Sequence, residues 1–549
     1  MRLARWLPFL QWPRPSAALL RGELAAGLTV ALVMVPQGVA YAALAGMPLV
    51  TGLYAALLPP VVAVLFGNST RISVGPAALT CILVAASLNG LAEPGSPQWV
   101  MLAVWLALLS GLLQFALGAG RLAWVLNLVT SPVMLGFTQA AALLIMASQL
   151  PAFLGLQGNL RSFVDNPRID DPAALAFGAA SLALMFAGKR WLPRLPMVIL
   201  VVGGAALVSQ WSGYSARGAI IGGLPAGLPS AYWPGWPGLE TLGALLVPAV
   251  VIALVSFLET AASAKIEAQR DGRRWNDNQD LLAQGLAKFT SAFCGSFPTS
   301  TSFSRSAVTL FAGARTGWAT VAASCFVLVA LLLTSLLYHV PKAVLAAVVI
   351  MAVSSLLKPK AVRQLWRVDR VETGTAAVTF AVTLATSPRI YWGVLTGVLM
   401  GLAHFLYLRL HPRIIEVGLH PDGSLRDRHL WKLPPLAPQL YALRMDAELD
   451  FASASALERA VIDHVAAHPD VRHVCLFAQP INRVDATGVE VFTGLRQWLA
   501  GQGITLHISG IKLPVERVLE KAGALQAGPL LQMYRTDTDA LVAFGRLSA

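Results

Sequence analysis

Residues 69–89 read STRISVGPAALTCILVAASLN, and residues 300–314 read STSFSRSAVTLFAGA. Each stretch sets a Ser-Thr-x-apolar-Ser run, Ser69 to Ser73 and Ser300 to Ser304, at the head of an apolar segment. The apolar segments, Gly75 to Asn89 and Ser304 to about Ala314, are too short to cross a bilayer, which takes about 20 residues of helix. They read as half-helices preceded by extended chain. Around them, apolar segments begin near Leu24, Leu49, Val100, Leu122, Ala173, Pro196, Leu242, Leu281, Trp318, Pro341, Thr373 and Ile390, fourteen in all. The two short ones are third and tenth. Seven spans separate them, and an odd offset flips orientation, so the repeat is inverted in the membrane. Paired, interrupted segments in two halves point to a transporter's midplane site.

Composition excludes a soluble globule. Of 549 residues, 56% are apolar and 13% charged, against about 25% charged in an average soluble domain, and mean hydropathy is +0.64. The net charge of +13 is concentrated in residues 1–440. Residues 441–549 carry more acidic than basic groups, at a charge density near the soluble norm. With the N-terminus inside and spans alternating, 24 of the 31 Lys and Arg before residue 441 fall on the cytoplasmic side, a strong positive-inside bias. The charge needs no nucleic-acid partner. The basic start, broken by Pro8, Pro13 and Pro15, reads as a cytoplasmic lead-in over 1–21. The expected plan is a transmembrane unit over 22–410, a linker over 411–438 (polar, with several prolines) and a cytoplasmic domain over 439–549. Cys81, Cys294, Cys325 and Cys475 lack metal-ligand spacing and read as small buried hydrophobes.

Helix ends supply the chemistry of the midplane. The first turn of a helix carries free N–H groups and a partial positive charge, so two half-helices aimed at one point form an anion site. Gly75 and Pro76 suit the start of the first half-helix. Ser304, Arg305 and Ser306 open the second, with hydroxyl donors and a full charge. Arg305 is one of two cationic side chains at membrane depth, the other being Lys288. Such charges are expensive and mark function, though an ion pair with a structural role also suits Arg305. Lys288 reads as snorkelling or structurally paired. Glu259, inside the run PAVVIALVSFLETAASA, suits a proton carrier or a partner of Arg305. Gln37, at the Pro36-Gln37-Gly38 interruption of span 1, suits a ligand contact or an interhelical hydrogen bond. Tyr41, one turn on, reads as packing.

These residues carry a resemblance. Val35-Pro36-Gln37-Gly38-Val39-Ala40-Tyr41-Ala42 resembles the first-span signature of the SulP anion transporters, which include sulfate permeases. In order, Ser73-Val74-Gly75-Pro76, Pro132 to Thr138, Glu259-Thr260-Ala261, Asn278 to Gly285 and Ser302 to Val308 are similar to further motifs of that family. The resemblance implies a 7+7 inverted repeat with core and gate domains in a homodimer. It implies an anion site lined by Gln37, Ala77, Ala78, Phe303, Ser304 and Arg305, with Glu259 in proton coupling. Residues 439–549 alternate strand and helix: strands at 441–448, 471–477 and 504–508, helices at 455–467, 488–499 and 514–522. They resemble a STAS domain whose loop motif is Asp485-Ala486-Thr487-Gly488. Ala486 stands where the related antagonists carry a phosphorylated serine. Thr487 is left to accept a phosphate or to cap the helix, and Asp485 with Thr487 forms the candidate regulatory spot.

The resemblance implies secondary active transport of a small inorganic anion, sulfate first, with protons, in a bacterial inner membrane. Bicarbonate with sodium, or chloride or dicarboxylate transport or exchange, suits the same site. A membrane sensor in which the STAS domain signals is the remaining reading. No cofactor, metal or enzymatic activity is called for.

Overall fold

A computed structural model describes residues 7–156, 169–192, 196–526 and 528–547. Arg2, Arg5, Arg161, Arg168 and Arg194, used above for orientation, lie outside them. The chain divides into a unit over residues 1–401 and a unit over 402–549.

The first unit begins with α1 (Ala17–Leu44), α2 (Thr51–Ala55) and α3 (Leu58–Phe66), then strand β1 (Val74–Gly75) and α4 (Ala78–Leu88). Next come α5 (Pro97–Ala119), α6 (Ser131–Leu154), α7 (Pro172–Trp191), α8 (Met197–Trp211), α9 (Leu239–Arg270) and α10 (Asp277–Phe293). Strand β2 (Ser300–Thr301) leads into α11 (Phe303–Phe311), followed by α12 (Trp318–Leu332), α13 (Lys342–Ser354), α14 (Pro359–Val368), α15 (Arg370–Ala385) and α16 (Tyr391–Leu410). The fourteen expected segments are thus present among the described residues. Two local differences stand out. The fifth segment opens as a 3-10 turn at Ala123–Leu128 before its helix starts at Ser131. α14, which the sequence reading did not expect, follows Lys358 as a short amphipathic helix with no buried residue.

The helices sort into two packed groups. One joins α5 to α10, α1 to α12 and α3 to α10; the other joins α6 to α15, α13 to α6 and to α7, and α7 to α8. This is the core and gate division that the resemblance implied. Close approach in the core rests on glycine: a Cβ on Gly111 of α5 would sit 2.9 Å from the Lys288 Cβ and 3.1 Å from the Gly285 carbonyl oxygen of α10. Small residues at such crossings let helix backbones meet where lipid offers no hydrophobic drive. Three of the four cysteines are buried; Cys325, on α12, is exposed instead.

The second unit is a mixed six-stranded sheet in the order β4-β3-β5-β6-β7-β8. Its strands are β3 (Ile414–Leu419), β4 (Leu425–Asp427), β5 (Leu440–Met445), β6 (His473–Phe477), β7 (Thr505–Ser509) and β8 (Leu531–Tyr534). Its helices are α17 (Arg428–Trp431), α18 (Ala454–Ala467), α19 (Ala486–Gly501), α20 (Leu513–Lys521) and α21 (Asp537–Leu547). β5 to β8 run parallel, joined by helical crossovers, as parallel pairs require. The stretch read as a linker, 411–438, instead supplies β3 and β4: β3 pairs antiparallel with β5, placing Ile415 opposite Arg444. Its alternation of inward Ile415 and Val417 with the less buried Ile414 and Glu416 is the half-buried strand pattern, hidden among prolines and charges.

Candidate anion site

The two half-helices meet as the repeat predicts. β1 and β2 pair antiparallel, with Val74 opposite Thr301 and Gly75 opposite Ser300. At about 1.5 Å per residue, the 11 residues of α4 and 9 of α11 each cover roughly half of a ~30 Å hydrocarbon core. Extended chain at such depth is tolerated only where its polar groups are satisfied. Here the strands satisfy each other, and Ser302 N donates to the Ser73 carbonyl at 2.9 Å while Ser73 N donates to Ser306 Oγ at 2.9 Å. The loop before β1 is held by two buried carboxylates. Asp280 accepts from Asn68 N, Ser69 N, Ser69 Oγ and Trp275 Nε1 at 2.6–3.0 Å. Glu267 accepts from Thr70 N at 3.1 Å and Arg71 N at 3.2 Å.

Helix starts differ slightly from expectation. Gly75 lies in β1 at φ +144°, a conformation that favours glycine, and Pro76 precedes the cap rather than opening the helix. Ala77 is the N-cap of α4 and has no side chain that could cap it, so the first amides of α4 stay open. At α11, Ser302 is the N-cap and Phe303, Ser304 and Arg305 form the first turn.

A cavity of about 990 Å³ opens in front of both helix starts. Ala77, Ala78, Ser302, Phe303 and Ser304 line it, together with Glu259, Tyr41 and, from the gate, Thr130, Ser131, Pro132, Met134 and Leu135. Lys265, Lys358 and Glu372 also line it, and Lys358 Nζ stands 5.5 Å from the centre of the Phe303 ring. The cavity thus brings together four of the six predicted lining residues. Gln37 and Arg305 lie behind it, 6% and 1% exposed. Arg305 donates from Nε to Ser73 Oγ at 3.2 Å and from Nη1 to Gln37 Oε1 at 3.3 Å. Its Nη2 is buried without a protein partner among the described residues. A guanidinium supplies five donors and no acceptor, so this nitrogen keeps donor capacity that no described protein group takes up. Gln37 does not sit at an interruption: α1 runs unbroken through Pro36.

Glu259 accepts a short hydrogen bond from Ser300 Oγ, the residue paired with Gly75. Beside it, Thr260 Oγ1 and Thr301 Oγ1 are 2.8 Å apart, and Gln284 Nε2 donates to Thr301 Oγ1 at 3.2 Å. Sequence reading missed Ser73, Ser300 and Thr301 as site members. The signal was available, since they belong to the repeated Ser-Thr-x-apolar-Ser motif itself.

In the second unit, Asp485 caps α19: Oδ1 accepts from Gly488 N at 2.8 Å and Oδ2 from Phe451 N at 3.0 Å. Those hydrogen bonds, Gly488 first, hold its carboxyl below the usual range. Thr487 is exposed in the first turn.

Together, inverted half-helices, a buried arginine between them and a cavity at their starts define a membrane carrier of anions. Residues 20–379 match the sequence profile of the Sulfate permease family and residues 435–540 that of the STAS domain; the chain belongs to the sulfate permease family. It is 32% identical over 561 residues to "Probable sulfate transporter" of Mycobacterium tuberculosis, covering 100% of this chain and 99% of that one. It is 31% identical to the "Sodium-independent sulfate anion transporter" of Bos taurus, covering 95% and 88%. The fold is similar to that of the murine Solute Carrier 26 family member A9 anion transporter (TM-score 0.87, 21% identity, 99% and 95% covered). It is also similar to the transmembrane domain of a cyanobacterial bicarbonate transporter (TM-score 0.60, 19% identity, 71% and 98% covered).

Proposed function

We propose that this chain is a sulfate–proton symporter working by alternating access. The observation that carries the reading is the juxtaposition of the buried Arg305, the uncapped start of α4 and the cavity-facing Glu259. Arg305 and the helix ends bind the anion; Glu259 carries the proton; Ala77, Ala78, Phe303 and Ser304 shape the contact, and Gln37 orients Arg305. The names of the mycobacterial and bovine relatives support sulfate, and the bovine name supports independence from sodium. The core would move past the gate, in a homodimer, in a bacterial inner membrane with both termini cytoplasmic. Lys265 and Lys358 at the cavity rim then put its opening on the cytoplasmic side, an inward-facing state. The domain plan, with residues 1–21, 22–410 and 439–549 as its working parts, is part of this proposal, as is an absence of enzymatic chemistry.

Radiolabelled sulfate uptake into proteoliposomes tests it. An inward proton gradient raises uptake, and removing sodium leaves it unchanged. Absent sulfate uptake alongside sodium-dependent bicarbonate uptake overturns the reading.

A further inference from the structure

Four charged side chains line the anion cavity: Glu259, Lys265, Lys358 and Glu372. With both carboxyls ionised their charges cancel, so a preference for one anion charge over another must come from where each group sits. Lys265 belongs to α9 of the core, and its ammonium stands over the Trp275 ring at 5.8 Å. Glu372 lies in the first turn of α15. Lys358 is the N-cap residue of α14, which packs on α15 and α6 of the gate. Its ammonium stands 5.5 Å from the centre of the Phe303 ring. Phe303 is the first residue of α11, so this cation reaches from the gate to the helix start that faces the cavity.

The base of Lys358 is fixed and its tip is not. Gln139 Oε1, on α6, accepts from Lys358 N at 2.8 Å, and Gln139 Nε2 donates to the Leu356 carbonyl at 2.9 Å. That clamp pins the turn between α13 and α14. Among the described residues the ammonium enters no ion pair and no hydrogen bond, and the Phe303 ring is its neighbour. A cation held over a ring at an exposed site gains only about two- to fivefold in an equilibrium.

An anion at the start of α11 competes with the ring for this ammonium. Coulomb attraction scales with the product of the charges. For an ammonium about 6 Å from an anion in water it is worth about threefold in affinity for a single charge and about tenfold for a double one. The singly charged anion therefore only matches the ring, whereas the doubly charged anion outbids it. We propose that Lys358 is a second anion ligand, contributed by the gate, which makes the inward-facing site select doubly charged over singly charged anions. The inference rests on the reading above, in which the anion sits at the starts of α4 and α11. Arg305 belongs to the core and Lys358 to the gate, so the site is complete only where the two face each other.

The test is a thermal-shift titration of the purified full-length protein with sulfate and with nitrate at constant ionic strength, since a bound anion raises the melting temperature by mass action. Lys358→Gln should raise the sulfate Kd about tenfold and the nitrate Kd about threefold or less. Lys358→Arg should keep the preference for sulfate. Lys360→Gln alters an exposed lysine that does not line the cavity and should leave both constants unchanged. Equal fold-changes for the two anions in Lys358→Gln, or none, show that the lysine only ties the gate to Phe303; they overturn the inference while leaving sulfate binding standing. A matching effect from Lys360→Gln traces the preference to diffuse surface charge and overturns it too. If the unaltered protein is stabilised by neither anion, or by nitrate alone, the sulfate reading itself fails and the inference with it. Should Lys358→Gln not assemble, Lys358→Met is titrated in its place, and failure of both assigns Lys358 to the scaffold and removes it as a ligand.

Discussion

Arg305 Nη1 donates to Gln37 Oε1 at 3.3 Å, joining α11 to α1 directly behind the anion cavity. The amide fixes the plane of the guanidinium, and Ser73 Oγ on Nε fixes it from a second side. That leaves Nη2 as the guanidinium nitrogen without a partner among the described residues.

Arg305→Ala should reduce sulfate uptake to background while the protein still elutes as a single assembled species. Gln37→Leu should act more mildly, raising KM several-fold with kcat little changed, because it loosens the guanidinium without removing it. Retained uptake in Arg305→Ala would remove that residue from the site.

Glu259→Gln should flatten the pH profile of uptake. The unaltered protein should carry more sulfate as the outside becomes more acidic, since the proton is a co-substrate. The amide cannot exchange a proton, so uptake measured from pH 5.5 to 8 should lose that slope. A slope equal to that of the unaltered protein would assign the proton elsewhere.

Gly111→Val should disrupt assembly. Its side chain would meet the Lys288 Cβ and the Gly285 carbonyl, and overpacking of this kind costs typically about 1–3 kcal/mol. Gly203→Ala on α8, with nothing within 4 Å of the new Cβ, is the matched control and should melt like the unaltered protein in a thermal-shift assay.

His507 gives the second unit a pH dependence. Burial, and then the neighbouring His473, hold its imidazole at about 4, below the ordinary 6.5. Its Nε2 lies 3.1 Å from His473 Nδ1 and its Nδ1 lies 3.2 Å from the Tyr534 hydroxyl. The unfolded chain binds the proton first, so stability falls as pH drops from about 6.5 toward 4. Hydrogen exchange at 505–509 should accelerate over that window beyond the intrinsic pH effect, and His507→Phe should remove the excess.

Asp485→Ala should loosen the start of α19. The loss of an N-cap costs about 1 kcal/mol, seen as faster exchange at Gly488 and at Phe451, the two amides that Asp485 holds. Sulfate uptake should persist.

Much of this was legible in the sequence because membrane physics simplifies the code. Apolar length, lysine and arginine bias, and a repeated serine–threonine motif located the helices and the two half-helices. Arg305 and Glu259 stood out because charge is rare at that depth. What the sequence hid depends on pairing across distance. Nothing local in Gln37 says that it bonds Arg305 rather than lipid-side neighbours, and Lys288 reads as snorkelling until Gln114 and Ser256 are seen around it. Residues 411–438 hid two strands because β4 is only three residues long and the flanking prolines signal a turn. The strand β8 was missed for a related reason: its four residues carry too few periods to declare themselves.

The bridge between Val74 and Thr301 uses backbone groups alone. Its geometry therefore does not depend on the side chains of Val74 and Thr301, and within the two strands only Gly75, at φ +144°, is fixed by its backbone. Residues facing the ligand can be exchanged while the frame that holds them stays put, so new substrates are reachable by single substitutions without redesigning the scaffold. The seam that makes one carrier also makes the lineage adaptable.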